Sequence, residues 1–280
     1  MTQPKMDPHQ TARLETMKRQ WEQKRRVSQR LSKIKCKIGV YSGKGGVGKT
    51  TVAANMAVVM AQRGASVGLL DADVDCPNVL GVLGVMDGGR MEQGVLIPPE
   101  KYGVKVVSMS FFQKNEEEAI IWRGPMIHQA INDFIERAEW GDLDYLIVDL
   151  PPGTSDAPLT VMQMIQPDGF VVVTTPQVLA KLDAKRSINM ITRLNTRVLG
   201  VVENMSGQVF GQGAGEDLSM EMGIPFLGRL MLRPEYRSTV PPVVENSEIR
   251  QEYDHIVDGA VSQLEQNMAT ATPSKGQIAE

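Results

Sequence analysis

Seven apolar runs of six to eight residues recur along the chain, and stretches with a helical spacing of apolar residues separate most of them. Each run is rich in Val, Ile or Leu without strict alternation, which is typical of strands buried on both faces of a sheet. The pattern predicts strands at 37–42, 66–71, 104–110, 144–150, 169–175, 197–204 and 225–230.

Apolar positions three and four residues apart predict the helices. Their predicted ranges are 10–35, 50–62, 126–139, 178–194, 214–222 and 247–266. Segment 82–103, with its glycines and paired prolines, is predicted to be an irregular surface excursion. Strands that alternate with helices indicate a three-layer α/β fold, in which a mostly parallel sheet has helices on both faces.

The chain divides into one domain and two terminal segments. Residues 37–266 form one predicted domain, because no linker or shift in composition interrupts them, and the polar tail 267–280 is predicted to be disordered. Residues 1–36 form a predicted basic helical arm. Residues 1–37 carry eleven Lys and Arg against three Asp and Glu, a charge of +8, which leaves −11 for the remainder of a chain with net charge −3. We interpret the arm as a solvated helix rather than a nucleic-acid-binding element, because no aromatic interleaving accompanies its charge.

The composition is that of an ordinary globular protein, with 42% hydrophobic and 22% charged residues. No apolar run reaches the roughly 18–20 residues that span a bilayer. The first residues also lack the apolar core of a signal peptide. We therefore expect a cytoplasmic protein without membrane association. The two cysteines, Cys36 and Cys76, form neither a disulfide framework nor a local metal pattern.

The segment "YSGKGGVGKTT" at 41–51 matches the phosphate-binding pattern G-x-x-x-x-G-K-[ST]. It lies between a predicted strand and a predicted helix, where backbone N–H groups and the helix dipole favour phosphate. Lys49 is predicted to bridge the β- and γ-phosphates, and the Thr50 hydroxyl to bind Mg²⁺. The predicted nucleotide-binding residues of the loop are Gly43, Lys44, Gly45, Gly46, Val47, Gly48, Lys49, Thr50 and Thr51. The phosphate-binding pattern specifies only one lysine, Lys49, and so assigns no role to Lys44.

Carboxylates follow two predicted strands at the point where each strand ends. "LLDADVDCPN" places Asp71, Asp73 and Asp75 after the second strand, and "LIVDLPPGTSD" places Asp149 at the end of the fourth. The carboxyl ends of parallel strands face the crevice where ligands bind. Asp149 is therefore predicted to hold Mg²⁺ through a water molecule, and Gly153 to offer its N–H to the γ-phosphate.

Other features favour structural roles or leave the role open. "GQGAG" at 211–215 looks like a phosphate loop but does not directly follow a predicted strand, so we interpret it as a flexible turn that opens a helix. For Asp75 and Asp156, a role in a turn or a helix cap is as consistent with the sequence as a chemical role.

Six motifs occur in a characteristic order: "GKGGVGKTT", "DADVDCPN", "IIWRGPM", "WGDLDYLIVDLPPGTSD", "VVTTPQ" and "GVVENMSG". Together they resemble the Mrp/ApbC-type iron–sulfur cluster carrier ATPases, a group within the P-loop NTPase class that includes MinD, ParA and the nitrogenase iron protein. The resemblance covers residues 36–240. It implies a MinD-like fold and slow ATP hydrolysis with Mg²⁺ by a nucleotide-sandwich homodimer. It also implies iron–sulfur cluster assembly or transfer, with apoproteins or assembly factors as partners.

Several residues match functional positions of that family. Lys44 matches a lysine that reaches across the dimer to the partner chain's phosphates and neutralises charge there during transfer. Asp73 matches the aspartate that positions or activates the attacking water, and Asp149 and Gly153 match the second switch. Asn204 matches an asparagine that reads the adenine edge. The catalytic residues implied are Lys44, Lys49 and Asp73.

The cysteines depart from the family pattern. The carriers usually have a C-x-x-C pair shortly after "NMS", whereas "NMSGQVFGQGAGEDL" contains no cysteine. An iron–sulfur cluster normally needs about four ligands, usually thiolates. Cys76 is a potential cluster ligand that would supply only two thiolates per dimer. Two functions therefore remain open: a cluster carrier, and a cluster-less MinD-like ATP switch whose nucleotide state governs the docking of a partner.

Overall fold

One central sheet organises the chain, of which the computed structural model describes residues 8–112 and 124–271. The strands are β1 (Ile34–Tyr41), β2 (Val67–Asp71), β3 (Arg90–Glu92), β4 (Val95–Ile97), β5 (Glu100–Lys101), β6 (Val104–Ser108), β7 (Leu143–Asp149), β8 (Gly169–Thr174), β9 (Val198–Ser206) and β10 (Phe226–Met231). The α-helices are α1 (Pro8–Leu31), α2 (Lys49–Gln62), α3 (Val79–Leu83), α4 (Gly124–Arg137), α5 (Asp156–Ile165), α6 (Val178–Arg193), α7 (Ala214–Met222), α8 (Pro242–Glu245) and α9 (Ser247–Ala271).

The sheet has the strand order β10-β9-β8-β1-β7-β2-β6-β5 within the described ranges. All neighbouring pairs are parallel except β5 with β6. β1 lies between β7 and β8, and the register pairs Asp71 at the end of β2 with Asp149 at the end of β7. The predicted α/β fold is confirmed, and the two strand ends that carry aspartates meet at one edge of the sheet.

Apolar side chains on the two faces of the sheet pack into separate clusters. Ile38, Val40 and Ile147 face α2 and α9, whereas Leu146 and Val148 face α4, α5 and α6. Helix α2 is apolar around its whole circumference and is buried from Val52 to Met60, as expected for a helix in the interior. The start of α2, which follows the glycine loop, is thereby fixed against the sheet.

Helix α1 packs against the domain, which differs from the predicted solvated arm. Val27 is buried within the cluster that also holds Ile34, and Arg26 pairs with Glu136 of α4 at 2.5 Å. Strand β1 begins at Ile34, three residues before its predicted start. Residues 1–7 of the predicted arm lie outside the described residues.

Two predicted irregular segments contain regular structure. Segment 82–103 holds the antiparallel β3–β4 hairpin and the edge strand β5, so the prediction of an irregular excursion is wrong there. Helix α9 continues to Ala271, and the Asn267 side chain accepts a hydrogen bond from Arg197 at 2.7 Å. Disorder from residue 267 is therefore wrong for 267–271, and residues 272–280 lie outside the described ranges.

Candidate functional site

The glycine loop after β1 needs glycine where the backbone is left-handed and crowded. Gly46 and Gly48 have φ angles of 78° and 81°, which side chains disfavour. A Cβ on Gly48 would also lie 2.2 Å from Asn204 Nδ2. Asn204, at the end of β9, donates that amide to the Val47 carbonyl oxygen at 2.8 Å. The β9 end thus braces the loop that is predicted to hold phosphate.

The start of the loop is packed closely against α6. A Cβ on Gly43 would lie 2.1 Å from the carbonyl oxygen of Asp183. No side chain can be accommodated at that distance, so Gly43 permits the contact between the loop and the α6 backbone. Any movement of the first part of the loop therefore involves α6.

Lys49 is buried between the carboxylates of two strand ends. Its Nζ lies 2.6 Å from Asp149 Oδ1 and 3.5 Å from Asp73 Oδ2. The Thr50 hydroxyl donates to Asp149 Oδ2 at 2.6 Å. Burial opposes the charge on Lys49, but the Asp149 and Asp73 carboxylates outweigh it and raise the pKa of the ammonium group. Lys49 is therefore a cation, and Asp149 lies where it contacts both Lys49 and Thr50.

Asp73 is held at the edge of this cluster by backbone N–H groups. Its Oδ1 accepts from the Cys76 N–H at 3.3 Å, and its own N–H donates to Asp71 Oδ1 at 3.2 Å. Asp71, fully buried, also accepts from Val79 N–H and the Ser108 hydroxyl. Burial raises the pKa of the Asp73 carboxyl against the opposing effect of Lys49. A raised pKa makes Asp73 a better proton acceptor.

Lys49, Thr50 and Asp73 line one cavity of about 370 Å³ at the carboxyl edge of the sheet, whereas Asp71 and Asp149 are fully buried and do not line it. Its lining residues are Ser42, Gly45, Gly46, Gly48, Lys49, Thr50, Asp73, Asp75, Cys76, Asn78 and Pro152. Backbone N–H groups, a cation and carboxylates thus border a single space, which is a suitable arrangement for a phosphate chain with a divalent cation.

Gly153 is clamped to the end of β1. Its N–H donates to the Ser42 carbonyl oxygen at 3.0 Å, and its own carbonyl accepts from the Tyr41 hydroxyl. The N–H predicted to contact a γ-phosphate thus has another partner here, and that contact requires the segment after β7 to move. No pattern in the sequence indicates this role of the Tyr41 hydroxyl, because Tyr41 stands in "KIGVYS" as one more residue of a buried apolar strand.

Lys44 is placed apart from the lysine in the cavity. It is half-buried, does not line the cavity, and its Nζ donates to Gln177 Oε1 at 3.2 Å on the α6 side of the loop. Within the described residues Lys44 has no carboxylate partner. The two lysines of the loop therefore have different surroundings, and only Lys49 faces the cavity.

A buried carboxylate organises the loop that follows Asn204. Glu203 accepts hydrogen bonds from the Gly213 and Gly215 N–H groups at 3.0 and 2.7 Å, and from Ser206 Oγ and Arg229 Nε. These N–H groups open α7, so the interpretation of "GQGAG" as a turn that opens a helix is confirmed. An internal carboxylate occupies the anion position of that helix start.

Replacing Glu203 with glutamine is expected to reduce the free energy of unfolding by about 1.5–3 kcal/mol, the range for hydrogen bonds to a charged group. Burial opposes ionisation of Glu203, but the Gly215, Gly213, Ser206 and Arg229 donors lower its pKa. Its stabilisation is therefore complete above the unfolded-state pKa and is lost as pH falls through the folded-state pKa. Urea unfolding at a series of pH values should show the two proteins converging in acid.

Glu216→Gln is the matched control for this measurement. Glu216 pairs with the same Arg229, at 3.3 Å, but its side chain is 55% exposed, and exposed ion pairs contribute little. Equal losses for the two variants, or a Glu203→Gln effect that persists unchanged in acid, would contradict the anchoring role.

The two cysteines differ in accessibility. Cys76 is exposed at the mouth of the cavity, whereas Cys36 is half-buried, with its Sγ 3.8 Å from Met268 Sδ. Burial raises the pKa of the Cys36 thiol. No cluster of three or more His, Cys, Asp or Glu side chains suited to a metal ion is found in residues 8–112 and 124–271. Nor do these ranges contain a helix long and apolar enough to cross a bilayer.

The fold and the cavity define a P-loop NTPase with a MinD-like fold. Within that class, the chain belongs to the ParA-type NUBPL family of iron-transfer P-loop NTPases, whose model matches residues 33–261. An iron–sulfur cluster carrier protein of Methanocaldococcus jannaschii is 39% identical over 261 residues, which are 87% of this chain and 90% of the relative. A cluster carrier of Synechocystis is 44% identical over 240 residues, 79% of this chain and 68% of the relative. The predicted family is confirmed.

Solved structures agree with this assignment. A nucleotide-binding protein of Archaeoglobus fulgidus, solved in complex with ADP, is 35% identical with a TM-score of 0.70, and the match covers 82% of this chain and 95% of that one. The cell division ATPase MinD of Pyrococcus furiosus is 21% identical with a TM-score of 0.63, covering 82% of this chain and 99% of MinD. The likeness to MinD concerns the fold alone.

Proposed function

We propose that this chain binds and hydrolyses ATP as a homodimer and acts in iron–sulfur cluster assembly or in cluster transfer to apoproteins. The proposal rests on one observation: the two lysines of the glycine loop, Lys44 and Lys49, lie in different positions relative to the cavity. Lys49 lines the cavity with Asp73 and also contacts the fully buried Asp149, whereas Lys44 lies outside the cavity. The family membership, the carrier relatives and the ADP complex of the Archaeoglobus neighbour support the nucleotide and the cluster role.

When ATP binds, Lys49 exchanges its contact with the Asp149 carboxylate for contacts with phosphate oxygens. In this structure Lys49 pairs with Asp149 at 2.6 Å. The loop N–H groups and Lys49 bind the phosphates, and Lys49 then leaves Asp149, because phosphate oxygens compete for the same ammonium protons. The contact between Lys49 and Asp149 therefore couples phosphate binding to the segment that contains Gly153.

Mg²⁺ is the metal that this donor set fits. The Thr50 hydroxyl and the Asp149 carboxylate lie 2.6 Å apart, and Mg²⁺ is commonly held by one or two oxygen side chains together with substrate phosphates. Thr50 would bind the ion directly and Asp149 through water. When bound, the ion neutralises phosphate charge during transfer.

The remaining residues act on water, adenine and the transferred charge. Asp73 orients the attacking water and accepts a hydrogen bond from it, consistent with its raised pKa. Gly153 turns its N–H from Ser42 to the γ-phosphate when its segment moves. Asn204 braces the loop through its amide N–H, and its carbonyl oxygen can accept from the adenine amino group. Lys44 reaches the phosphates of the partner chain and neutralises charge there.

A cluster-less ATP switch is the second candidate function, in which the nucleotide state governs the docking of a partner protein. The cysteines favour it: the whole chain has two, and only Cys76 is exposed. This alternative has the same dimer and the same hydrolysis. It differs only in whether the chain itself holds iron.

Replacing Asp73 with asparagine is expected to leave a dimer that retains ATP. The side chain keeps its size but loses the charge that acts on water, so hydrolysis should fall by about 100-fold or more. ATP affinity should change little, because the substitution leaves Lys49, Thr50 and the N–H groups of the glycine loop in place to bind the phosphates. Sedimentation velocity with ATP and Mg²⁺ should show a larger dimer fraction than wild type.

Asp75→Asn is the comparison variant, since Asp75 lines the same cavity but is exposed. It should hydrolyse ATP at close to the wild-type rate. If Asp73→Asn is active and Asp75→Asn is not, the catalytic role belongs to Asp75.

A further inference from the structure

The Tyr41 hydroxyl is a buried polar group that lies beside the phosphate cavity without lining it. Tyr41 ends β1, and its side chain is fully buried in the apolar cluster that also holds side chains of α5 and α6. The hydroxyl donates a hydrogen bond to the Gly153 carbonyl oxygen. Burial raises the pKa of Tyr41 to about 12, against a smaller opposing contribution from Ser187. The hydroxyl therefore keeps its proton near neutral pH and remains a donor.

Gly153 is joined to the end of β1 by two hydrogen bonds. Its N–H donates to the Ser42 carbonyl oxygen at 3.0 Å, and its own carbonyl oxygen accepts from Tyr41. The two prolines before Gly153 have no N–H, so neither can take over its role as a donor. The N–H and the carbonyl flank the same Cα atom. A rotation that turns the N–H away from Ser42 therefore also moves the carbonyl away from Tyr41.

Gly153 has room to turn, whereas Tyr41 does not. The φ angle of Gly153 is 85°, and a Cβ placed on it would meet no atom within 4 Å. The Tyr41 ring is fully buried, and close packing keeps it from following a backbone that moves. When the Gly153 N–H turns to a phosphate, the hydrogen bond from Tyr41 consequently breaks.

The Tyr41 hydroxyl is not left without a partner when this bond breaks. It lies 3.4 Å from Met190 Sδ of α6, and Ser187 of the same helix is a further hydrogen-bonding neighbour. A thioether sulfur is a weak acceptor. Release of Gly153 thus costs one hydrogen bond and avoids the larger cost of a buried, unpaired donor.

We propose that Tyr41 is a positioning residue that tunes the relative affinities for ATP and ADP by holding Gly153 away from the γ-phosphate. This inference rests on the proposed function, in which the Gly153 N–H contacts that phosphate. ATP supplies an oxygen that replaces Ser42 as the acceptor and offsets the loss of the Tyr41 bond. ADP has no γ-phosphate, so the Tyr41 bond persists when ADP binds. Tyr41 therefore lowers the affinity for ATP relative to ADP, and it returns Gly153 to Ser42 after hydrolysis.

The test is the pair of dissociation constants of Tyr41→Phe for ATPγS, a slowly hydrolysed ATP analogue, and for ADP. Both are measured by isothermal titration calorimetry with Mg²⁺ at one protein concentration. The variant loses the hydroxyl but keeps the ring that fills the core. The constant for ATPγS should fall about threefold to tenfold, because one hydrogen bond is removed from the arrangement that competes with binding. The constant for ADP should be unchanged.

Hydrogen–deuterium exchange provides a second measurement that a general loss of core packing would not reproduce. In the protein without nucleotide, the peptide that covers residues 151–160 should exchange faster in Tyr41→Phe than in wild type, because the Tyr41 bond no longer holds Gly153. Peptides of β1 and α6 should exchange at the wild-type rate.

Tyr145→Phe is the matched control. Tyr145 lies on β7 at the amino end of the sheet, where it pairs with Cys36 and lines a different cavity, so this variant should keep both wild-type dissociation constants. Three results would overturn the role of Tyr41: equal changes for ATPγS and ADP in Tyr41→Phe, weaker binding of ATPγS, or wild-type constants with unchanged exchange. A wild-type protein that binds neither nucleotide would overturn the proposed function itself, and the role of Tyr41 with it.

Discussion

Lys44→Ala is expected to lower the rate of ATP hydrolysis by about 10³-fold, the lower end of the range for cationic fingers supplied in trans. ATP affinity should remain within a few-fold of wild type, because the cavity residues do not include Lys44. Lys49→Ala should weaken both binding and hydrolysis, since Lys49 is the buried cation of the cavity. ATP affinity and the rate of hydrolysis should therefore be measured for both variants, because only Lys49→Ala is expected to change both quantities.

If Lys44 acts on the nucleotide of the partner chain, the rate of ATP hydrolysis per chain also depends on protein concentration. If each active site needs Lys44 from another chain, phosphate release per chain rises with concentration at low concentration and levels off once dimers saturate. Phosphate release across a dilution series would measure this directly. Lys35→Ala serves as a control, because Lys35 is an exposed lysine of β1 whose pairing with Asp144 is remote from the cavity.

Mixing two inactive variants gives the sharpest form of the test. A mixed dimer of Lys44→Ala and Asp73→Asn contains one complete site, in which the Lys44→Ala chain keeps Asp73 and receives Lys44 from its partner. Activity should therefore return on mixing, although neither variant is active alone. A fully active Lys44→Ala, or a rate per chain that is constant down to high dilution, is incompatible with catalysis in trans.

The strands that build the site were predictable because they are buried on both faces. Each of the seven predicted strands corresponds to one in the structure, since central parallel strands require continuous apolar runs. The β3–β4 hairpin could not be predicted in this way, because its strands lack a continuous apolar run. Strand β3 is exposed along its length, and each hairpin strand has only three residues. The last turn of α9 was missed because contacts distant in sequence, such as Arg197 with Asn267, accompany it.

The site was predictable in its composition but not in its contacts. The loop motif located Lys49 and Thr50, and the strand ends located Asp73 and Asp149. The 2.6 Å contact between Lys49 and Asp149 depends on strand order, which brings β7 beside β1. No local pattern contains that information. The same applies to Glu203, which the sequence shows only as the residue before Asn204, although its partners Gly213, Gly215 and Arg229 lie 10 to 26 residues away.

The second large expected effect is a low iron content, which follows from the number and accessibility of the cysteines. We expect this chain alone not to hold a stable [4Fe–4S] cluster. Such a cluster needs about four ligands, usually thiolates. Cys76 is the exposed cysteine, so a symmetric dimer offers two exposed thiolates. Cys36 is half-buried against Met268, and burial raises the pKa of its thiol, which disfavours the thiolate that binds iron.

Any cluster that does form should respond to ATP. Cys76 lines the phosphate cavity, and its N–H donates to Asp73 at 3.3 Å. A nucleotide that engages Asp73 therefore changes the position of Cys76. Iron positions without a protein thiolate would need added thiols or a recipient's cysteines, which makes the cluster labile and suited to delivery rather than storage.

Anaerobic reconstitution of wild type, Cys76→Ser and Cys36→Ser, each with and without ATP, tests this expectation. Iron and sulfide assays after desalting should give far less than one cluster per dimer in all three proteins. Any residual iron should be lost in Cys76→Ser, kept in Cys36→Ser and altered by ATP. A full cluster per dimer that survives desalting and requires Cys76 would contradict the expectation and establish a self-sufficient carrier. Absence of iron under every condition would favour the cluster-less ATP switch, because a P-loop ATPase that holds no iron can act on clusters only through the partner it docks.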